Sequence, residues 1–191
     1  MVAVCAAGLV IGRAAGRREQ TIGALGHVAR RVLRALPCPV VVAPRDLTAV
    51  APGPILLATD LDVASASAVT FARDLAARHG RELKVVHVGE TRYSDLIDDL
   101  EPYWQQARDA YRDELAATVH HWMAAHALIG EPHVMFGSVV DELRALAIAS
   151  QAAMIVVGSR RLGTVGRIFL GSTASALAGH APCPVAVIAA T

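Results

Sequence analysis

The sequence predicts an open, mostly parallel, doubly wound α/β sheet, and three observations carry that expectation. Short continuous aliphatic runs alternate with segments of helical period, as in parallel sheets buried on both faces. Hydrophobic residues make up 54% of the chain but aromatics only 4%, so the core is built of Ala, Val, Leu and Ile. A stretch near the start is echoed near the end. Leu36-Pro37-Cys38-Pro39-Val40-Val41-Val42 recurs as Ala181-Pro182-Cys183-Pro184-Val185-Ala186-Val187, 145 residues later. The same offset pairs Leu25-Gly26 with Leu170-Gly171 and Ala29 with Ala174. At 146, Ala6-Ala7-Gly8-Leu9-Val10-Ile11-Gly12 matches Ala152-Ala153-Met154-Ile155-Val156-Val157-Gly158, the change of offset falling in a loop, where length variation is cheapest.

Residues 1–48 therefore read as the last strand-loop-helix-strand of one unit, 49–53 as a linker and 54–191 as a complete second unit. In the complete unit Ile55 to Thr59 is a continuous apolar run ending at Asp60, the first strand. Ala68, Phe71, Ala72, Leu75 and Ala76 recur at helical spacing, with Arg73, Asp74 and Arg78 outside and Gly80 as the C′ residue. Leu83 to Val88 is the second strand. A long helix from about Tyr103 to His126 follows, with Trp104, Ala107, Tyr111, Leu115, Thr118 and Trp122 on one stripe. Val134 to Phe136 is the third strand. Asp141 to Ser150 is the next helix, with Leu143, Leu146 and Ala147 inward. Met154 to Val157, Gly171 to Gly179 and Val185 to Ala189 are the fourth strand, the fourth helix and the fifth strand. Right-handed crossovers between such elements put ligands outside the carboxyl ends of the strands. That directs attention to Asp60, Val88 and the loop after Val157.

Composition narrows the function classes. The formal charge is +1, which argues against a dedicated nucleic-acid binder. It is unevenly spread: residues 1–48 hold seven Arg against Glu19 and Asp46, net +5, and the rest is net −4. The longest apolar run, Met1 to Ile11, is far shorter than the ~20 residues that span a bilayer. It has neither a basic n-region nor an A-x-A-like cleavage site, so a cytoplasmic, non-membrane protein is expected. Three cysteines without C-x-x-C spacing fit a reducing compartment. Cys38 and Cys183 each lie between two prolines, a pattern of packing more than of redox chemistry.

The loop after the fourth strand, Gly158-Ser159-Arg160-Arg161-Leu162-Gly163-Thr164-Val165-Gly166-Arg167-Ile168-Phe169-Leu170-Gly171-Ser172-Thr173, opens a helix. Glycines permit close backbone approach, the helix N-terminus offers N–H groups, and Ser172, Thr173, Arg160, Arg161 and Arg167 supply further donors, so a phosphate could be held here. The same residues also suit a long connection with Ser172 as N-cap and solvated arginines. A P-loop is excluded, because the sole lysine, Lys84, lies on a strand; no G-x-S-x-G elbow exists. His120, His121 and His126 do not share one helix face, so no metal site is assigned. His87, at a strand end, reads as structurally satisfied. Arg30, Arg31 and Arg34 form a solvated face, or meet acidic residues such as Asp95, Asp98, Asp99 and Glu101.

Residues 54–191 resemble the universal stress protein family. The likeness rests on Ile55-Leu56-Leu57-Ala58-Thr59-Asp60, His87-Val88, Val156-Val157-Gly158-Ser159, Leu170-Gly171-Ser172 and Ala181-Pro182-Cys183-Pro184-Val185. It implies a Rossmann-like sheet in the order 3-2-1-4-5, dimerisation by pairing of last strands, and in the nucleotide-binding branch a G-x2-G-x9-G-[S/T] loop around ATP. Carried over, it implies Asp60 and Val88 near ribose and adenine, Gly158 near the ribose, and Gly171, Ser172 and Thr173 at the phosphates. Arg161 replaces the second motif glycine, either filling the phosphate pocket or serving as a charged donor. Ala58 stands where that branch often has proline. In the partial copy His27 replaces the hydroxyl after Gly26, and no counterpart of Asp60 exists, so residues 1–48 cannot build a site alone.

The expectation is a tandem universal stress protein, its first repeat reduced to the last β-α-β. It acts as a non-catalytic module in stress response that binds ATP or AMP, with Mg accompanying ATP, and hydrolyses slowly if at all. The alternative is a nucleotide-independent protein-interaction module. No catalytic residue is assigned. Val40 to Ala43 is expected to pair antiparallel with Val185 to Ala189, as a pseudo-dimer within the chain or as a homodimer contact.

Overall fold

The computed structural model describes residues 8–13, 25–62, 65–89, 101–159 and 171–190. In chain order the elements are β1 (Leu9–Gly12), α1 (His27–Ala35), β2 (Val40–Ala43), β3 (Ile55–Ala58), α2 (Ala66–His79), β4 (Leu83–Gly89), α3 (Glu101–Ala125), β5 (His133–Phe136), α4 (Val139–Ala149), β6 (Met154–Ser159), α5 (Ser172–His180) and β7 (Val185–Ala189). The seven strands among the described residues form one sheet in the order β1-β2-β7-β6-β3-β4-β5. Counted from β3, the complete unit has the order 3-2-1-4-5, with every pair within it parallel.

β1 and β2 extend this sheet, and β2 joins β7 antiparallel with Val40 opposite Val187, Val41 opposite Ala186 and Val42 opposite Val185. The register is self-complementary: shifting each residue by the repeat offset exchanges the two outer pairs, as an isologous contact requires. Backbone hydrogen bonds repeat too. Leu9 N donates to Pro39 O at 2.8 Å as Ile155 N does to Pro184 O at 3.0 Å, and Leu36 N to Val32 O at 2.7 Å as Ala181 N does to Leu177 O at 2.8 Å.

Alternation along the strands divides the core between two faces. On one, α1, α4 and α5 set Leu33, Leu143, Ala147 and Leu177 against Val40, Val42, Leu56, Ile155, Val185 and Val187. On the other, α2 and α3 set Ala72, Ala76, Val119 and Met123 against Ile55, Leu57, Val85, Val156 and Ala186. The N-terminal piece thus shares its core with the complete unit. Arg13 adds a polar tie: its guanidinium donates to Gly179 O at 3.1 Å and to Ala181 O, carbonyls at the C-terminal end of α5. The segment from 49 to 53 is anchored at its end. Gly53 N donates to Gln151 O at 2.9 Å, and Arg81 Nη1 to Ala51 O at 2.8 Å and Gly53 O at 2.9 Å.

The long helix departs from the expected stripe. Among its described side chains Val119, Trp122 and Met123 are buried, whereas Ala107, Tyr111 and Thr118 are exposed; Trp104 lies outside them. A helix of 25 residues is about 37 Å long, far longer than its strands, so only the C-terminal half finds sheet to cover. At the carboxyl end of β5 Tyr111 meets Phe136 at a ring separation of 5.6 Å, and Arg112 lies 5.9 Å from the same ring. The fourth helix of the unit begins at Ser172, with Gly171 as its N-cap in place of Ser172. Arg30, Arg31 and Arg34 are exposed on α1; the acidic residues 95, 98 and 99 and the Glu101 side chain lie outside the described residues.

Candidate functional site

The candidate site is the carboxyl edge of β3, β4 and β6. Ala58 is in register with Val86 on one side and Val157 on the other, so Asp60, Val88 and Gly158 leave the sheet on adjacent strands. Helix α5 connects parallel β6 and β7 and must run back against them, which brings Gly171, Ser172 and Thr173 to the same edge. Arg161 and the loop from 160 to 170 lie outside the described residues.

Local chemistry fixes the turn after β3. Thr59 Oγ1 accepts from Leu61 N at 2.9 Å, and the Asp60 carboxylate accepts from Asp62 N at 3.2 Å and Ser65 Oγ at 3.4 Å. Leu61 is held at φ 65, a left-handed conformation that costs a residue with a Cβ about 1 kcal/mol. Thr59 N donates to Val86 O at 3.0 Å and His87 Nδ1 donates to Thr59 O at 2.9 Å, clamping β3 to β4 directly below Asp60. His87 is therefore structurally satisfied. The Asp60 carboxylate is exposed at the edge yet oriented by its own turn. Ser65 and the strained Leu61 belong to no sequence motif, and Thr59, Asp60 and Asp62, three polar residues within four, are the sequence signal for such a turn.

The glycines differ in what they do. A Cβ on Gly158 would meet only Ala68 Cβ at 3.9 Å, and one on Gly171, at φ −56, would meet nothing within 4 Å. Among the described residues, neither packing nor a left-handed backbone demands glycine at these two positions. By contrast a Cβ on Gly89 would lie 2.8 Å from Leu115 Cδ2 and 3.0 Å from the Phe136 ring. Among the described residues no side chain caps helix α5 and its first turn has no acidic residue, so the positive end of the helix dipole lies at the edge. Ser159 Oγ, at the end of β6, is buried without a hydrogen-bond partner among the described residues. Val88 packs its side chain against the core beneath α4, so it offers main chain, not side chain, to the edge. Among the described residues no group of His, Cys, Asp and Glu could hold a metal ion, and no helix is long and apolar enough to cross a membrane.

The sequence model described as the universal stress protein family matches residues 53–189. A universal stress protein of Thermus aquaticus is 36% identical over 139 residues, covering 70% of this chain and 96% of that protein. The chain belongs to the universal stress protein family. A universal stress protein of Mycolicibacterium smegmatis is 31% identical over 172 residues, which cover 86% of this chain but 55% of its own length. The crystal structure of a universal stress protein from Archaeoglobus fulgidus superposes with a TM-score of 0.65 at 21% identity, covering 97% of this chain and 63% of that one, and bears on the fold alone. This universal stress protein thus spans nearly all of one relative and little more than half of another.

Proposed function

We propose that this universal stress protein is a non-catalytic, nucleotide-binding regulatory module of the stress response, resident in the cytoplasm. ATP, with its accompanying Mg, or AMP lies over the carboxyl edge. Asp60 and the Val88 main chain meet ribose and adenine, Gly158 sits beside the ribose, and Gly171, Ser172 and Thr173 receive phosphate. Arg161 adds a charged donor. The supporting observation is the N-terminus of α5, which has no side-chain cap among the described residues, beside Gly158 and Gly171, where an added Cβ would meet at most Ala68 Cβ among those residues. Space, N–H donors, two hydroxyls and a positive dipole end fit a phosphate. Residues 1–48 are the closing β-α-β of a first repeat, 49–53 the link and 54–191 the whole repeat. Pairing in trans through β7 would require β2 to be released first, because β2 already occupies that edge.

Isothermal titration with ATP and with AMP tests this reading. Heat with wild type and a loss of about tenfold or more in affinity for Ser172→Asp, through like-charge repulsion, are the expected results. Absence of heat and of competition at millimolar nucleotide would overturn it. If Arg161→Gly binds where wild type does not, Arg161 fills the pocket, and the chain is the nucleotide-independent interaction module that this departure from the motif favours.

A further inference from the structure

The partial repeat grips the complete one at a helix end as well as along a strand, and the grip runs one way. Arg13, just past the end of β1, reaches a carbonyl 166 residues away: Nη1 donates to Gly179 O at 3.1 Å, and Nη2 donates to Ala181 O. Both carbonyls lie at the C-terminal end of α5, where a cation also meets the negative end of the helix dipole. The repeat offsets put Ser159 in the place of Arg13, and Arg34 and Leu36 in the places of Gly179 and Ala181. Ser159 Oγ is buried without a hydrogen-bond partner among the described residues, so it gives the C-terminal end of α1 no such cap. The partial repeat thus holds a helix of the complete repeat without the reciprocal bond from Ser159.

Helix α5 has nine residues and is only about 14 Å long. Of its buried residues, Ala174, Leu177, Ala178 and Gly179, only Leu177 is larger than alanine. Apolar packing is non-directional, and so small a buried side holds the helix weakly along its axis. Hydrogen bonds are directional, and two of them on the last carbonyls fix how far the helix reaches toward the carboxyl edge. We propose that Arg13 is a positioning residue for the phosphate end of the nucleotide site: by holding the C-terminal carbonyls of α5, it sets where Gly171, Ser172 and Thr173 stand. Arg13 touches no nucleotide and acts through the helix. The proposal rests on the nucleotide reading above and gives residues 1–48, which lack a counterpart of Asp60, a part in the site of the complete repeat.

Isothermal titration of the full chain with ATP and with adenosine, together with amide exchange in the absence of nucleotide, tests this. Because α5 receives phosphate and not the nucleoside, Arg13→Met should weaken ATP by about fivefold or more and leave adenosine within about twofold of wild type. The Ser175 amide, bonded to Gly171 O at 3.0 Å, lies at the end of α5 away from Arg13. In Arg13→Met its exchange should accelerate by about tenfold more than that of the α4 amides, which separates loosening of α5 from a general loss of stability. Arg13→Lys keeps the charge and the N–H donors and should bring ATP affinity back to within about threefold of wild type. Arg13→Gln supplies the same comparison should Arg13→Met fail to fold. Equal losses for ATP and adenosine, unchanged ATP affinity, or Ser175 exchange that only keeps pace with α4 would overturn the proposal while the nucleotide reading stands. A wild type that binds neither ligand overturns the nucleotide reading, and the proposal with it.

Discussion

Leu33→Ala tests whether the N-terminal β-α-β is an appendage or part of one cooperative core. Leu33, on the inner side of α1, is fully buried in a cluster that also holds Leu177, Val185 and Val187. Truncating a fully buried leucine costs about 2–5 kcal/mol, the transfer of the lost carbons plus the cavity they leave. With α1 at the flank of the sheet and partly free to settle, about 3 kcal/mol is the expected loss. For a chain of 191 residues each kcal/mol moves the midpoint by about 2–4 °C, so the melting temperature should fall by about 6–12 °C. Because β2 is hydrogen-bonded to β7, the fall should appear as one shifted transition in calorimetry, and exchange of β7 amides should accelerate with it. Val28→Ala, on the same helix but 72% exposed, is the control and should stay within about 0.5 kcal/mol of wild type. A separate early transition, with the main midpoint within about 2 °C of wild type and β7 exchange unchanged, would refute the shared core.

The glycines make a contrasting set in urea denaturation. Gly53→Ala should cost about 3 kcal/mol, since its Cβ would lie 2.1 Å from the Ser150 carbonyl oxygen, while Gly158→Ala should stay within about 0.5 kcal/mol. Arg13→Met leaves the carbonyls of Gly179 and Ala181 without their donor and should lower stability by about 1–3 kcal/mol, read as a shifted urea midpoint at constant slope. Burial pushes the Cys183 thiol up from 9.0 to about 11, with Arg13 opposing. An unfolded chain therefore loses this proton first. The stabilising contribution is complete below pH 9 and is lost as pH rises toward 11, with a slope of at most about 1.4 kcal/mol per pH unit. Cys183→Ala should flatten that slope, and an unchanged alkaline profile would count against a buried, protonated thiol.

Much of the fold was legible because the signals were local. Ile55-Leu56-Leu57 reads as a strand buried on both faces, and the structure divides those residues between the two helical layers. Gly80 reads as a helix stop and adopts φ 58. The stripe on α3 misled, because periodicity tells which side of a helix is apolar but not how much sheet lies beneath it. Leu61 gave no sign of its left-handed backbone, since hydrogen bonds from Thr59 and Asp60 override its intrinsic preference.

By itself the sequence determined the alternation of strands and helices, the internal repeat and the residue types at the carboxyl edge, all of which follow from side-chain periodicity and spacing. Tertiary structure decided that the two pieces fuse into one seven-stranded sheet with a common core. It also decided that Val10 is left open where Val156 is closed. Equivalent sequences have equivalent local preferences, but burial depends on which neighbours arrive, and only one of the two copies has β3 and α2 beside it.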